Sequence, residues 1–162
     1  MVTRPAGDRR ARPKREPGES RELNEPSPQK PLPEPTLESQ PFWDALREHR
    51  LVFQQCGQCG EVRHYPRPVC PKCFSMETTW KPSTGRGTVH SWTVCHHAFH
   101  PGFKSELPYV VLTVDMDEGV RMVGQTEGLD EAALTVGLPV EVGYVDVDAD
   151  TTLPIFRPRH TG

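Results

Sequence analysis

The sequence predicts a mainly β chain: a short N-terminal helix, a metal-stapled ribbon and a small five-stranded barrel. Three observations predict it. Two C-x2-C pairs, Cys56-Gly57-Gln58-Cys59 and Cys70-Pro71-Lys72-Cys73, stand ten residues apart. After Trp80 the chain runs in short alternating apolar segments broken by glycine-bearing turns, the pattern of strands with one buried face. Helical apolar spacing is confined to one stretch just upstream of the first cysteine pair.

Length and composition bound what such a chain can be. Its 162 residues allow one domain or two very small ones, and a hydrophobic share of 35% is low for a fully folded chain. The longest apolar run, around Val110 to Leu112, is far short of the ~20 residues of a membrane helix, so no span is expected. No signal-peptide pattern follows Met1, and five cysteines then indicate a reducing, cytoplasmic compartment rather than a disulfide framework.

Residues 1–35 hold eight of the 18 prolines, mixed charges and no aromatic residue. Too little apolar surface is available there to offset chain entropy, so a disordered tail or linker is expected. Over 36–50 the pattern turns helical: Ser39 or Gln40 can cap, Pro41 suits the first turn, and Phe42, Trp43 and Leu46 share one face. The helix is expected to run to about Arg50, its aromatics packed on the neighbouring ribbon or barrel.

Residues 51–80 read as a zinc ribbon. Leu51 to Gln55 is a strand entering the first knuckle, and Val62 to Val69 is a return strand that Pro66 and Pro68 confine to an edge. A two-residue spacer lets both sulfurs of a pair face one cation while backbone amides donate to them. Four thiolates, Cys56, Cys59, Cys70 and Cys73, suit zinc, with iron the competitor and an electron carrier the consequence. With no ligand position left for water, the role of the metal is structural.

Residues 81–162 read as the barrel. Strands are expected at Gly87–His97, Leu107–Met116, Val120–Gln125, Val140–Tyr144 and Leu153–Phe156, with a hairpin turn at Asp117-Glu118-Gly119 and a helical turn near Asp130 to Leu134. Five short strands closing in Greek-key order make an OB-fold.

Other chemistries would fall on particular residues. Cys95 beside His96 and His97, with His100 beyond, is the best set for a nucleophile and base. Neighbours on a strand point to opposite faces, however, so Cys95 reads as a small core residue. Nucleic-acid binding is the rival for a ribbon and an OB-fold, yet the chain carries −3, and the +2 of residues 1–35 leaves −5 on the rest. Arg63, His64, Arg67 and Lys72 form the one basic cluster there, with no run of stacking aromatics on the barrel strands.

The order of parts resembles an acyl-CoA-associated family that joins an N-terminal helix and a rubredoxin-like zinc ribbon to a C-terminal OB-fold. Besides the four cysteines, the matching residues are Gly85-Arg86-Gly87-Thr88-Val89-His90-Ser91, Pro108-Tyr109-Val110-Val111 and Asp117-Glu118-Gly119-Val120-Arg121. Gly137-Leu138-Pro139-Val140-Glu141-Val142 and Leu153-Pro154-Ile155-Phe156-Arg157-Pro158 complete the match, from about Thr36 to Pro158. The resemblance implies a non-catalytic accessory subunit that binds and stabilises a thiolase-like partner acting on acyl-CoA and helps line the thioester path. Its most specific version is the retro-aldolase of steroid side-chain degradation, a lyase; a biosynthetic thiolase or acyltransferase complex is the alternative. It further implies a heterotetramer and an upstream or associated enoyl-CoA hydratase, for which the Pro-rich tail would be the linker. No catalytic residue is carried over. For CoA phosphates the available cations are Arg86, Lys104, Arg121, Arg157 and Arg159, of which Arg157, between Phe156 and Pro158, is the candidate contact.

Overall fold

The computed structural model describes residues 29–159, so most of the tail expected over 1–35 lies outside the described residues. Helix α1 (Gln40–Arg47) has Pro41 in its first turn, where its missing N–H is no loss. Ser39 does not cap it with its side chain; the hydroxyl instead accepts the Thr36 amide at 2.9 Å, in the turn that precedes the helix. The helix stops three residues before Arg50 because His49 takes a left-handed φ of 53°. The Arg50 amide then reaches back to the Ala45 carbonyl at 2.9 Å, closing the end as C-terminal caps do. Phe42, Ala45 and Leu46 are buried at the i, i+3, i+4 spacing.

The ribbon is a three-stranded antiparallel sheet with β1 (Val52–Cys56) between β2 (Val62–Arg63) and β3 (Thr78–Pro82). β2 is far shorter than the expected Val62–Val69, because Pro66 and Pro68 can donate nothing to a ladder. The long partner of β1 is β3, a strand absent from the sequence reading, in register from Val52 against Pro82 to Cys56 against Thr78. Thr78, Thr79 and Trp80 are residue types that suit a half-covered strand.

The barrel strands are β4 (Arg86–Cys95), β5 (Tyr109–Met116), β6 (Arg121–Gln125), β7 (Pro139–Asp146) and β8 (Thr152–Pro158), hydrogen-bonded in the order β6-β5-β4-β7-β8. The two outer strands meet through a parallel bridge between Thr126 and Phe156, and the Glu127 amide donates to the Phe156 carbonyl at 3.0 Å. This nearly closed, five-stranded arrangement is that of an OB-fold. An irregularity between Val89 and Ser91 bends β4, which pairs with β7 over Arg86–Thr88 and with β5 from Gly87 to Cys95.

One apolar cluster joins the parts. Val89, Leu112, Val114, Met122, Val140 and Phe156 fill the barrel, and Phe42 and Leu46 of α1 with Leu51 and Phe53 belong to the same cluster. Leu46 and Leu112 have no exposed surface, and each such side chain contributes about 1.5–3 kcal/mol of burial free energy. The ribbon is thereby anchored through the root of β1, which leaves its cysteine-bearing end to be held by other means.

Candidate metal centre

The two knuckles are built alike. β1 ends at Cys56, whose amide donates to Glu61 at 2.9 Å and whose carbonyl accepts from Gly60 at 3.0 Å. Cys70 repeats both bonds with Ser75 and Phe74, each at 2.9 Å. The fourth residue after the leading cysteine is left-handed in both turns, Gly60 at φ 74° and Phe74 at φ 61°. Glycine takes that conformation at no steric cost, whereas Phe74, 76% exposed, takes it under strain.

These turns bring Cys56, Cys59, Cys70 and Cys73 together with all four sulfurs within 4.8 Å of one another. Cys56 and Cys70 are buried, Cys73 is half-buried and Cys59 exposed. Sulfurs of Cys56 and Cys73 stand 3.5 Å apart and those of Cys59 and Cys70 3.6 Å, well beyond a disulfide bond. A tetrahedron with metal–sulfur bonds of about 2.3 Å has edges of roughly 3.8 Å, so the donor set fits zinc.

The electrostatics make the same demand. The Cys59 amide, 3.5 Å from the Cys56 sulfur, leads the effects that hold that thiol down to about 6, and the Cys73 amide likewise lowers Cys70. The Ser75 amide also pulls Cys73 down, but burial and the thiols of Cys59, Cys56 and Cys70 push it up to about 12. Four sulfurs this close do not all ionise unless a cation neutralises them. Among the described residues no other group of three or more potential ligands comes together.

The remaining sequence candidates are dispersed. Arg63 is turned into the ribbon, 7% exposed, where its Nε donates to Gln54 at 2.6 Å. His64 lies among Phe42, Phe53 and Tyr65, and burial lowers it to about 4, so it is neutral at physiological pH. Lys72 is paired with Glu61 at 3.0 Å. The basic cluster read from the sequence therefore reduces to the exposed Arg67. Cys95 is half-buried opposite Tyr109, the His97 ring meets the edge of Phe99, and His100 caps a 3-10 turn by accepting from Gly102 at 3.1 Å. The Cys95, His96, His97 and His100 set is not gathered around one point. Arg157 is held by Glu127, with its Nε at 2.9 Å from the carboxylate.

The sequence reading missed an apolar cleft of about 660 Å³ between α1, the ribbon hairpin and the outer face of the barrel. Its walls come from segments far apart in sequence. The available signal was the apolar residues Val111, Val123 and Val145 on strand positions that alternation assigns to the outside.

Comparison with known proteins agrees with both halves. The family described as "ChsH2, rubredoxin-like zinc ribbon domain" matches residues 43–78, and "ChsH2, C-terminal OB-fold domain" matches residues 80–148. A probable enoyl-CoA hydratase alpha subunit of Thermomonospora curvata is 38% identical over 139 residues, which are 85% of this chain and 43% of that protein. The 3-oxo-4,17-pregnadiene-20-carboxyl-CoA hydratase alpha subunit of Mycobacterium tuberculosis is 37% identical over 117 residues, 72% of this chain and 36% of that one. The chain thus spans less than half the length of these curated relatives. A solved structure, the Ltp2-ChsH2(DUF35) aldolase, superposes with a TM-score of 0.71 at 36% identity, covering 78% of this chain and 98% of that one. With its ribbon and its barrel each matched in the same order, the chain belongs to the ChsH2 (DUF35) family.

Proposed function

We propose that this chain is a non-catalytic accessory subunit that binds and stabilises a thiolase-like partner acting on acyl-CoA. The most specific reading is the retro-aldolase of steroid side-chain degradation. The observation that carries it is the likeness to a chain of the Ltp2-ChsH2(DUF35) aldolase along nearly all of that chain's length. The steroid acyl-CoA named in the mycobacterial relative supports the substrate class. In this reading the base and the oxyanion site for carbon–carbon cleavage belong to the partner, and this chain completes the interface and part of the thioester path.

Cys56, Cys59, Cys70 and Cys73 hold one structural zinc, which supplies charge neutralisation and cross-linking of the two knuckles. The chain is organised as a linker at 1–35, the helix at 36–50, the ribbon at 51–80 and the barrel at 81–162. Assembly with a thiolase-like dimer gives a heterotetramer in the cytoplasm, and an enoyl-CoA hydratase joins upstream of the linker or by association. Among the described residues no helix is long and apolar enough to cross a membrane. For CoA, Arg157 is the candidate phosphate contact; a phosphate there would compete with Glu127 for the guanidinium.

The test is to purify the tagged protein from its native host and identify co-purifying chains by mass. A thiolase-like protein in near-equal amount, with acyl-CoA lyase activity in the complex, is expected. Recovery of the chain alone, or with nucleic acid, overturns the reading. Unchanged acyl-CoA affinity of the complex in Arg157→Ala would remove that residue from the path.

A further inference from the structure

The cleft beside the barrel has the make-up of a binding site, and none of the chemistry above uses it. Its floor is the outer face of β5 and β6, where Val111 stands in register with Gln125 and Thr113 with Val123. Those side chains alternate with the core residues Leu112, Val114 and Met122, so they point away from the barrel interior. β5 and β6 are the second and third strands of the barrel, the face on which OB-folds take their ligands. Here the middle of that face carries Val111 and Val123, its Arg121 is paired with Asp115, and Tyr109 stands at one end, which is not the continuous basic groove with successive stacking rings of a nucleic-acid site. Val123 and Val147 each remain 45% exposed, an unusual setting for β-branched apolar side chains gathered at one place.

The cleft is also walled by its own chain. Phe42 and Trp43 of α1 form one side, and Tyr65 and Pro66 of the ribbon hairpin another. The segment Lys30–Leu32 adds a further wall, with Lys30 paired to Glu106 and its ammonium 5.4 Å from the centre of the Phe103 ring. Gly102 permits the close approach of this segment: a Cβ there would lie 2.9 Å from the Lys30 nitrogen and 3.0 Å from the Gln29 carbonyl. A volume of about 660 Å³ falls inside the roughly 300–1,000 Å³ of small-molecule sites. A concavity walled on several sides suits a compact molecule better than the flat surface of another protein. Gln125, Tyr109 and Ser39 are the uncharged polar groups on its walls, and His64 adds a neutral ring.

We propose that this cleft binds a rigid apolar ring system of steroid size, carrying no charge on the part enclosed. The cleft itself is independent of the accessory-subunit reading, but the naming of the ring system rests on it. In the assembled enzyme this chain would hold the ring portion of the acyl group while the thioester end extends towards the partner.

The test uses the full zinc-loaded chain without a partner and progesterone as the probe, an uncharged four-ring ketone lacking CoA. Trp43 lines the cleft whereas Trp80 and Trp92 do not, so saturable quenching of tryptophan emission is expected, with one site per chain confirmed by equilibrium dialysis. Val123→Arg places a charge in the cleft from an exposed position and should weaken binding on the order of tenfold or more, with zinc content and circular dichroism unchanged. No saturable binding by either method, equal binding by Val123→Arg, or equally tight binding of decanoate overturns the proposal. So does loss in Val123→Arg of self-association or of partner capture without any progesterone binding, which would assign the cleft to a protein surface. Absence of a thiolase-like partner in the native purification would sink the accessory-subunit reading and leave this measurement unaffected.

Discussion

The ribbon and the barrel are held by different forces. In the barrel, Val89, Leu112, Val114, Met122, Val140 and Phe156 are each at most 1% exposed and touch one another across the sheet. At the far end of the ribbon the buried groups are Cys56 and Cys70, with Gln54 and Arg63 as a buried polar pair. Apolar burial is distributed over many residues and degrades gradually when one is trimmed. Coordination is concentrated at a single point and fails all at once. One chain of this size can thus contain a part that tolerates substitution and a part that does not.

The sharpest way to break the contrast is to remove the metal. Structural zinc contributes apparent binding free energies of about 10–16 kcal/mol in small four-ligand domains. Chelation, or Cys70→Ser, is expected to abolish amide protection in β1 and β2 while β4, β5 and β7 keep theirs, as read by hydrogen exchange alongside metal analysis. Uniform loss of protection across both parts would show that the shared cluster, and not the metal, governs the ribbon.

Next in size is Leu112→Ala, at a position with no exposed surface. It should cost about 2–5 kcal/mol in urea denaturation and leave one zinc per chain. Loss of metal in that variant would erase the distinction between the two parts.

His64 probes the seam where α1 meets the ribbon. Its folded pKa of about 4 lies below the ordinary 6.5, so the folded form binds fewer protons than the unfolded chain. The stability this arrangement contributes is complete above pH 6.5 and is lost as pH falls from 6.5 towards 4. By pH 5.5 the loss should be about 1 kcal/mol, and His64→Phe should flatten the profile over that window in denaturation measured at fixed zinc. An unchanged slope in the variant would place the titrating group elsewhere.

The smallest effect compares the knuckles themselves. Phe74→Gly puts in the second knuckle the residue type that Gly60 supplies in the first, and should raise stability by up to about 1 kcal/mol. Measured thermal unfolding of the zinc-loaded chain would register it, and a fall would mean that the exposed Phe74 ring makes contacts worth more than the strain.

Much of this was legible from residue spacing. Two C-x2-C pairs converge because each spacer closes one tight turn, a local event that needs no knowledge of the rest. Apolar alternation in some segments and β-branched or aromatic enrichment between turns in others located the five barrel strands, since these signals are local to each strand. β3 was missed because Thr78–Pro82 is exposed on both faces save at the half-buried Trp80 and so shows no apolar alternation. The basic cluster was misjudged for a different reason: Arg63 and Lys72 look alike in a sequence, and only packing turns one inward onto Gln54 and leaves the other outside on Glu61.

The element types, the four-thiolate donor set and the order of ribbon before barrel are readable along the chain because all depend on short-range geometry. That α1 and β1 share the barrel's core, that His64 is neutral, and that an apolar cleft opens beside β5 and β6 follow from packing in three dimensions. Each of these arises where segments far apart in the chain meet, from Lys30 to Ile155 in the case of the cleft, and long-range contacts leave no period in the chain.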